Sequence, residues 1–243
     1  MKVIGIIPAR YGSSRFPGKP LALIHGVPMI ERVYRQATKA LDTVIVATDD
    51  KRIFDTVIAF GGRAIMTSED CPNGTSRVCE AYLKCGITAD VVINIQGDEP
   101  YIHPEQITSV VNLFKDNSTT QIGTLAHSFD ATEGFEALFN PNRVKMTMDN
   151  SGRVLYFSRS IIPYVRNHKW QEWLANATFY THIGLYGFRA DILPELSSLP
   201  ESTLEEAESL EQLRWLQNGY TITAAITPHK SRPIDTPEDL DSL

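Results

Sequence analysis

The chain has 243 residues, of which 42% are hydrophobic and 21% are charged, so it is long enough for one globular domain with a large core. Its formal net charge of −6 argues against general nucleic-acid binding, because that function requires a basic surface that replaces counterions.

Cysteine and hydropathy patterns narrow the class of protein further. The three cysteines, Cys71, Cys79 and Cys85, are odd in number and lack C-x-x-C spacing, so they indicate neither a disulfide framework nor a zinc site. No hydrophobic run approaches the length of a membrane span, and Met1-Lys2 leads directly into a short strand instead of a signal peptide. We therefore expect reduced thiols in a cytoplasmic protein without a membrane partner.

The first half of the chain alternates between strand and helix patterns. This alternation predicts an α/β fold with a mainly parallel, Rossmann-like sheet flanked by helices. Strands are predicted at 3–7, 43–48, 63–66, 91–96 and 122–127. Helices are predicted at 28–40, 51–60 and 103–114, and from the turn at 73–77 to residue 84.

The second half is less regular and predicts a smaller lobe. Strands are predicted at 142–148, 152–157, 183–188 and 221–226, and one amphipathic helix at 204–218. A further helix follows the N-cap signal Thr236-Pro237. The polar and aromatic stretch 163–178 is interpreted as an arm that packs on a second subunit, with a surface excursion as the alternative.

The segment PARYGSSRFPGK, residues 8–19, directly follows the first predicted strand and carries three cations, Arg10, Arg15 and Lys19. Glycines and serines between them let backbone N–H groups approach an anion, and this position in an α/β sheet is a common phosphate site. The spacing differs from a Walker A loop, because five residues separate Gly12 from Gly18 and Pro20 follows the lysine. The segment predicts a triphosphate site, with a solvated basic turn as the alternative.

Two aspartates are the predicted metal ligands. The strand at 91–96 delivers Asp98, in QGDEP, to the same sheet edge as the basic segment. A carboxylate facing a triphosphate implies an intervening cation, and Mg²⁺ prefers one or two carboxylates plus phosphate oxygens. Asp235, between the last strand and the capped helix, is the second candidate. The alternative for each aspartate taken singly is a structural role: Asp98 in a turn, and Asp235 beside the start of a helix.

These segments carry a resemblance. PARYGSSRFPGKPL, with QGDEP and IDTPEDL, closely resembles the cytidylyltransferases that activate acidic sugars, above all those for 3-deoxy-D-manno-octulosonate (Kdo). Matching segments run from Met1 to beyond Asp235. The resemblance implies that Asp98 and Asp235 bind Mg²⁺ and that Arg10 and Lys19 contact the triphosphate of CTP.

Further substrate contacts follow from the same resemblance. On the nucleotide side it implies Thr48, Asp49 and Arg77. The further predicted contacts on this side are Arg15, Ser13 and Ser14, from the basic segment, and Gln96, from the QGDEP segment. The family usually has an acidic residue directly before the arginine that corresponds to Arg77, whereas this chain has Ser76. The residues that would contact the nucleotide base around Ser76 and Arg77 are therefore less well defined by the resemblance. On the sugar side it implies Arg159, Arg166, His182, Tyr186, Glu211 and Gln212.

The residue types on the sugar side suit an acidic sugar. Arginine grips a carboxylate in a bidentate manner, which favours Arg159 and Arg166. His182 and Tyr186 lie four residues apart, so on a strand they share one face. His182 as a structural histidine and Glu211 on a helix surface are the alternatives. The remaining histidines are interpreted as structural or surface residues: His25, His103, His127, His168 and His229.

The predicted reaction is magnesium-assisted transfer of CMP from CTP to Kdo, with pyrophosphate as the leaving group. The predicted division is a CTP-binding half at 1–130, a sugar-binding and dimerisation lobe at 131–225, and the metal aspartate with the final helix at 226–243. The resemblance also implies a homodimer and a product for lipopolysaccharide biosynthesis. The alternatives are a CMP-sialate or 8-amino-Kdo cytidylyltransferase, and a non-catalytic nucleotide-binding regulatory module.

Overall fold

A central sheet and the helices on its two faces account for most of the chain in a computed structural model that describes residues 1–13, 15–230 and 232–241. The predicted contact Ser14 lies outside the described residues. The strands are β1 Val3–Ala9, β2 Leu23–Ile24, β3 Val27–Pro28, β4 Val44–Thr48, β5 Ala64–Met66, β6 Val91–Asn94, β7 Ile122–Ser128, β8 Lys145–Met148, β9 Val154–Ser158, β10 Tyr180–Arg189 and β11 Ile222–Ile226.

The helices alternate with the strands in the first half and cluster in the second. They are α1 Met29–Ala37, α2 Lys51–Ala59, α3 Gly74–Lys84, α4 Pro104–Asp116, α5 Gly134–Phe139, α6 Trp173–Asn176, α7 Leu193–Ser198, α8 Thr203–Glu208, α9 Gln212–Gln217 and α10 Pro237–Asp241. None of the helices in the described ranges is both long and hydrophobic enough to cross a membrane.

The strand order of the main sheet is β11-β7-β10-β6-β1-β4-β5. Parallel pairing joins β6, β1, β4 and β5, and also β7 and β11, whereas β10 runs antiparallel to both of its neighbours. The predicted mainly parallel α/β sheet is therefore confirmed. The carboxyl ends of β1, β4, β6, β7 and β11 meet at one edge, where β10 begins.

Two hydrophobic clusters cover the two faces of the sheet. Ile4 and Ile6 of β1 belong to the cluster that includes α3, α7 and α9, while Ile7 belongs to the cluster that includes α1, α2 and α4. A strand buried on both faces reads as a continuous apolar run, which is why the sequence pattern located β1 and β6.

The predicted helix 204–218 is wrong in one respect, because the chain forms two helices there, α8 and α9. Ser209 adopts a left-handed conformation with φ 50°, which ends α8. Arg159 lies beside this break: its Nε donates to the carbonyl oxygen of Glu208 at 2.6 Å, and its Nη2 donates to that of Ser209 at 3.1 Å. The carbonyl oxygens at the break thus accept hydrogen bonds from a side chain fifty residues away, which no local sequence pattern reveals.

The arm at 163–178 packs partly on its own chain. Trp173 is buried with Leu138 and Phe179, whereas Tyr164 is 73% exposed and Trp170 is 48% exposed. The arm therefore contributes to the fold and still presents aromatic side chains at the surface.

Candidate active site

The sheet edge brings three distant segments together: the basic segment after β1, the QGDEP segment after β6 and the segment that follows β11. Gly97 permits the closest approach, because a Cβ atom at this position would lie 2.8 Å from the backbone oxygen of Pro8. Ile234 donates its backbone N–H to the carbonyl oxygen of Asp98 at 2.9 Å, which joins the second segment to the third.

Lys19 lies at the centre of this arrangement. Its Nζ donates to Asp98 Oδ2 at 2.8 Å, to the carbonyl oxygen of Ile234 at 2.9 Å and to Asp235 Oδ1 at 3.5 Å. Arg15 Nη2 also donates to Asp235 Oδ1, at 3.2 Å. The structure therefore brings Lys19, Asp98 and Asp235 together, although 216 residues separate the lysine from the second aspartate.

The two aspartates fit a divalent cation. Both carboxylates lie within hydrogen-bond distance of one ammonium group, so a single cation can interact with both. Their side chains are 29% and 41% exposed, which leaves room for phosphate oxygens and water. An all-oxygen set with two carboxylates suits Mg²⁺.

A first cavity of about 400 Å³ lies beside Lys19. Most of the residues predicted on the nucleotide side line it: Arg10, Ser13, Arg15, Lys19, Arg77, Gln96, Asp98 and Asp235. Asn73 and Gly74, at the N-terminus of α3, line it as well. Four cationic side chains and a helix N-terminus favour an anionic ligand here.

Two predicted nucleotide contacts, Thr48 and Asp49, do not line this cavity. Thr48 is fully buried, and its Oγ1 accepts from the N–H of Asp50 at 3.2 Å. Asp49 accepts from Arg77 Nη2 at 2.7 Å, and Arg77 Nη1 donates to Thr67 Oγ1 at 2.6 Å. This arrangement places Thr48 and Asp49 behind the cavity, where Asp49 orients the buried Arg77, and their direct contact with a nucleotide stays a prediction.

A second, larger cavity of about 930 Å³ adjoins the first. Gln96, Asp98 and Asp235 line both cavities, so the candidate cation site lies at their junction. The residues predicted on the sugar side that line the second cavity are Arg159, His182, Tyr186 and Gln212. Arg166 is exposed on the arm and lines neither cavity, so its predicted sugar contact has no support from this arrangement.

His182 and Tyr186 share one face of β10, as predicted, with ring centroids 5.3 Å apart. Burial lowers the pKa of His182 to about 3, so its imidazole is neutral at physiological pH. Thr124 Oγ1 donates to the carbonyl oxygen of Leu185 at 2.9 Å and lies 3.1 Å from His182 Nε2. The hydroxyl therefore accepts from Nε2–H, which leaves Nδ1 as a hydrogen-bond acceptor.

The Tyr186 hydroxyl is buried and has no hydrogen-bond partner among the described residues. Burial, together with the nearby charge of Glu211, raises its pKa well above the usual value, so it remains a neutral donor. A buried polar group without a partner costs about 1–3 kcal/mol. The hydroxyl itself is closed off from the second cavity, although the Tyr186 residue lines it.

Sequence reasoning missed several cations of the second cavity. Arg143 and Lys230 line it, and both form ion pairs with Glu133, at 2.6 and 3.1 Å. Lys145 is fully buried nearby, its Nζ donates to the carbonyl oxygen of Asn140 at 3.0 Å, and burial lowers its pKa to about 8. No local motif marks these residues, because they come from separate segments that meet only in the fold.

Glu211 is a half-buried residue at the N-cap of α9. It accepts from the Thr75 hydroxyl at 2.9 Å, and it lines neither cavity. Burial raises the pKa of Glu211 from 4.5 to about 7. Its predicted contact with sugar hydroxyls therefore stays a prediction, and its strongest expected effect is on the stability of the fold.

The raised pKa of Glu211 predicts a pH-dependent stability. The folded state binds the proton more tightly than the unfolded state, so the contribution of Glu211 is largest below pH 4.5 and is lost as the pH rises through about 7. We expect the free energy of unfolding of the wild type, relative to Glu211→Gln, to fall by up to about 3 kcal/mol between about pH 5 and about pH 8.

Urea unfolding of both proteins at the two pH values measures this difference. Glu206→Gln, at an exposed position of α8, is the matched control and should leave the pH dependence of the wild type unchanged. An equal pH dependence of the wild type and Glu211→Gln would show that the buried carboxyl does not titrate in this range.

Comparison with known proteins places this geometry in context. The family model described as Cytidylyltransferase matches residues 4–222. The chain is 57% identical over 242 residues to a 3-deoxy-manno-octulosonate cytidylyltransferase of Parabacteroides distasonis, with 99% of this chain and 96% of the relative covered. It is 53% identical to the enzyme of the same name from Bacteroides thetaiotaomicron, with 99% and 96% covered.

Solved structures of cytidylyltransferases also resemble this chain in fold. A CMP:2-keto-3-deoxy-manno-octonic acid synthetase complexed with CTP superimposes with a TM-score of 0.90 at 42% identity, covering 100% of this chain and 96% of that one. A 4-diphosphocytidyl-2C-methyl-D-erythritol synthase from Anaerococcus prevotii has a TM-score of 0.63 at 12% identity, covering 99% of this chain and 96% of that one. The latter shows a shared fold alone.

Proposed function

Because the chain belongs to the cytidylyltransferase family, and to its 3-deoxy-manno-octulosonate branch, we propose that it transfers CMP from CTP to Kdo and releases pyrophosphate. The observation that carries the proposal is the junction of two cavities at Asp98 and Asp235. The smaller, basic cavity suits a triphosphate. The larger cavity, with Arg143, Arg159, Lys230 and the amide of Gln212 in its lining, suits an acidic polyhydroxylated acceptor.

The residues of the first cavity bind and orient the nucleotide. Arg10, Arg15, Lys19 and the N-terminus of α3 face the triphosphate and neutralise its charge. The acceptor hydroxyl enters from the second cavity and attacks the α-phosphorus, with pyrophosphate leaving on the opposite side. Lys19, at the junction, stabilises negative charge that develops on the transferring phosphoryl group.

Asp98 and Asp235 would hold Mg²⁺. When bound, this ion would supply Lewis-acid catalysis to the phosphoryl transfer, so that no dedicated general base would be needed. Two carboxylates at the junction are more than nucleotide binding alone requires, which argues against a regulatory module.

The cellular location and the oligomeric state belong to the same proposal: a cytoplasmic homodimer. The three cysteines are free thiols, which supports a cytoplasmic location. A homodimer in which each chain contacts the other through the arm is supported by exposed aromatic side chains on and beside the arm: Phe139, Tyr164 and Trp170. Light scattering at micromolar concentration tests the dimer, and a monomer would contradict it. A CMP-Kdo product would serve lipopolysaccharide biosynthesis.

Pyrophosphate release tests the function directly. We expect release when CTP, Mg²⁺ and Kdo are mixed with the protein, and none when either Mg²⁺ or Kdo is omitted. Replacing Kdo with sialic acid or 8-amino-Kdo in the same assay compares the alternative acceptors. Binding of CTP without turnover of any of the three sugars would favour the non-catalytic alternative.

Arg159→Ala is expected to weaken Kdo binding while CTP binding is retained. Arg159 lines the second cavity but not the first. Its guanidinium donates to the carbonyl oxygens of Pro141, Glu208 and Ser209, so its loss removes the bonds that fix the chain between α8 and α9 at the edge of this cavity. Calorimetry with each ligand separately measures the two affinities. Arg153→Ala, whose side chain is exposed and pairs with Asp149, is the matched control. Equal loss of both ligands would contradict the assignment.

A further inference from the structure

Two histidines and a glutamate form a cluster outside both cavities of the proposed active site. His103 is the N-cap of α4, Glu105 lies in its first turn, and His229 comes from the segment after β11. One ligand atom from each of the three side chains lies within 4.8 Å of the other two. None of the three residues lines a cavity assigned to CTP or Kdo.

Close contacts join the three side chains. The two imidazole rings stack with centroids 3.8 Å apart, and His229 Nε2 lies 2.8 Å from Glu105 Oε2. The backbone of His229 is held on both sides: its N–H donates to Thr227 Oγ1 at 3.2 Å, and its carbonyl oxygen accepts from Gln106 Nε2 at 3.4 Å. The lone pairs of the ring nitrogens lie in the ring planes, so one of the two stacked imidazoles must rotate about its Cβ–Cγ bond before both can direct a nitrogen at one ion, while the backbone of His229 stays in place.

The donor set selects the kind of metal. Two imidazoles and one carboxylate suit a divalent transition-metal ion such as Zn²⁺, which binds three protein ligands and keeps a water in the fourth position. Mg²⁺ prefers oxygen ligands alone and is suited to the aspartate pair instead.

We propose that His103, Glu105 and His229 form a binding site for Zn²⁺ that is separate from the magnesium site. The site joins the segment that begins with Asp98, five residues before His103, to the segment that ends at Asp235, six residues after His229. Bound Zn²⁺ cross-links these two segments at their far ends and stabilises the arrangement that brings the two aspartates together.

Titration of the full-length protein with Zn²⁺, in competition with a chromophoric chelator and with Mg²⁺ in excess, tests the site. Excess Mg²⁺ occupies the aspartate pair, so zinc bound there does not obscure the result. We expect one equivalent of Zn²⁺ whose affinity falls at least about tenfold in His229→Gln and in His103→Asn, since even the loss of an outer-shell partner costs that much. Asparagine at position 103 still caps α4, which keeps the fold intact.

His168→Gln is the matched control, because the exposed His168 also lies beside a carboxylate, 3.4 Å from Glu172, but without a second histidine in that pair. It should bind Zn²⁺ as the wild type does. Zn²⁺ should also raise the unfolding temperature of the wild type and of this control, but not of the two cluster variants.

Anomalous scattering from a zinc-soaked crystal gives the second readout. A peak at about 2.0–2.1 Å from a nitrogen of both imidazoles would support the proposal. Equal zinc affinity in the wild type and both cluster variants would overturn it, as would a zinc peak located only at the aspartates or cysteines.

Discussion

Asp98→Ala is expected to lower turnover by roughly two orders of magnitude or more while the protein still folds. Asp98 lines both cavities, and its carboxylate lies 2.8 Å from Lys19 Nζ, at the point where the nucleotide and the acceptor would meet. The fold should persist, because the side chain is outside the hydrophobic core and Lys19 keeps its bond to the carbonyl oxygen of Ile234. Steady-state rates of pyrophosphate release at saturating CTP and Kdo measure the effect.

The control for this variant is Asp55→Ala. Asp55 also pairs with a lysine, Lys51, at 2.7 Å, but on an exposed turn of α2 far from both cavities. Its loss should leave turnover unchanged. Near-normal activity of Asp98→Ala at saturating Mg²⁺ would refute the proposed role of this carboxylate.

Lys19→Met is expected to lower turnover by about 10²–10³-fold, the loss seen when one preorganised donor to developing charge is removed. Methionine keeps the length of the side chain and removes its positive charge. The ammonium also lies between Asp98 and Asp235, so the variant leaves two carboxylates facing each other without it. We therefore expect a lower unfolding temperature in the absence of divalent ions.

Mg²⁺ should reduce that difference in unfolding temperature, because a cation bound by the two aspartates replaces the missing charge. This readout does not depend on catalysis. Lys51→Met removes an exposed lysine that pairs with Asp55 and should change neither turnover nor the response to Mg²⁺. A Lys19→Met protein with normal turnover would show that the lysine does not contact the reacting phosphates.

The local sequence pattern was sufficient to predict strands and shared faces where burial or side-chain alternation alone decides the structure. The apolar runs at β1, β4 and β6 predict buried strands, and the polar residues that follow them must then share an edge of a parallel sheet. The positions of Lys19 and Asp98 follow from this rule. His182 and Tyr186 share a face because side chains alternate along a strand.

Long-range contacts account for what the sequence pattern missed. The break between α8 and α9 depends on Arg159, and the hydrophobic spacing at 204–218 continues through it without a signal. Arg143 and Lys230 enter the second cavity through ion pairs with Glu133, whereas Arg166, chosen for its chemistry, stays at the surface. The histidines at 103 and 229 were interpreted as structural or surface residues, because 126 positions separate them in the chain and no local motif links them.

The amino-acid sequence by itself predicted the buried strands β1, β4 and β6, the basic segment after β1 and the position of Asp98 at the same sheet edge, since each depends on residues close together in the chain. Only the tertiary structure decided which side chains meet: Lys19 with both aspartates, two cavities at one junction, and a neutral His182 beside an unpartnered Tyr186 hydroxyl. The physical reason is that the distances between side chains, their burial and their electrostatic environment arise only when distant segments pack together, so they cannot be read from any one segment.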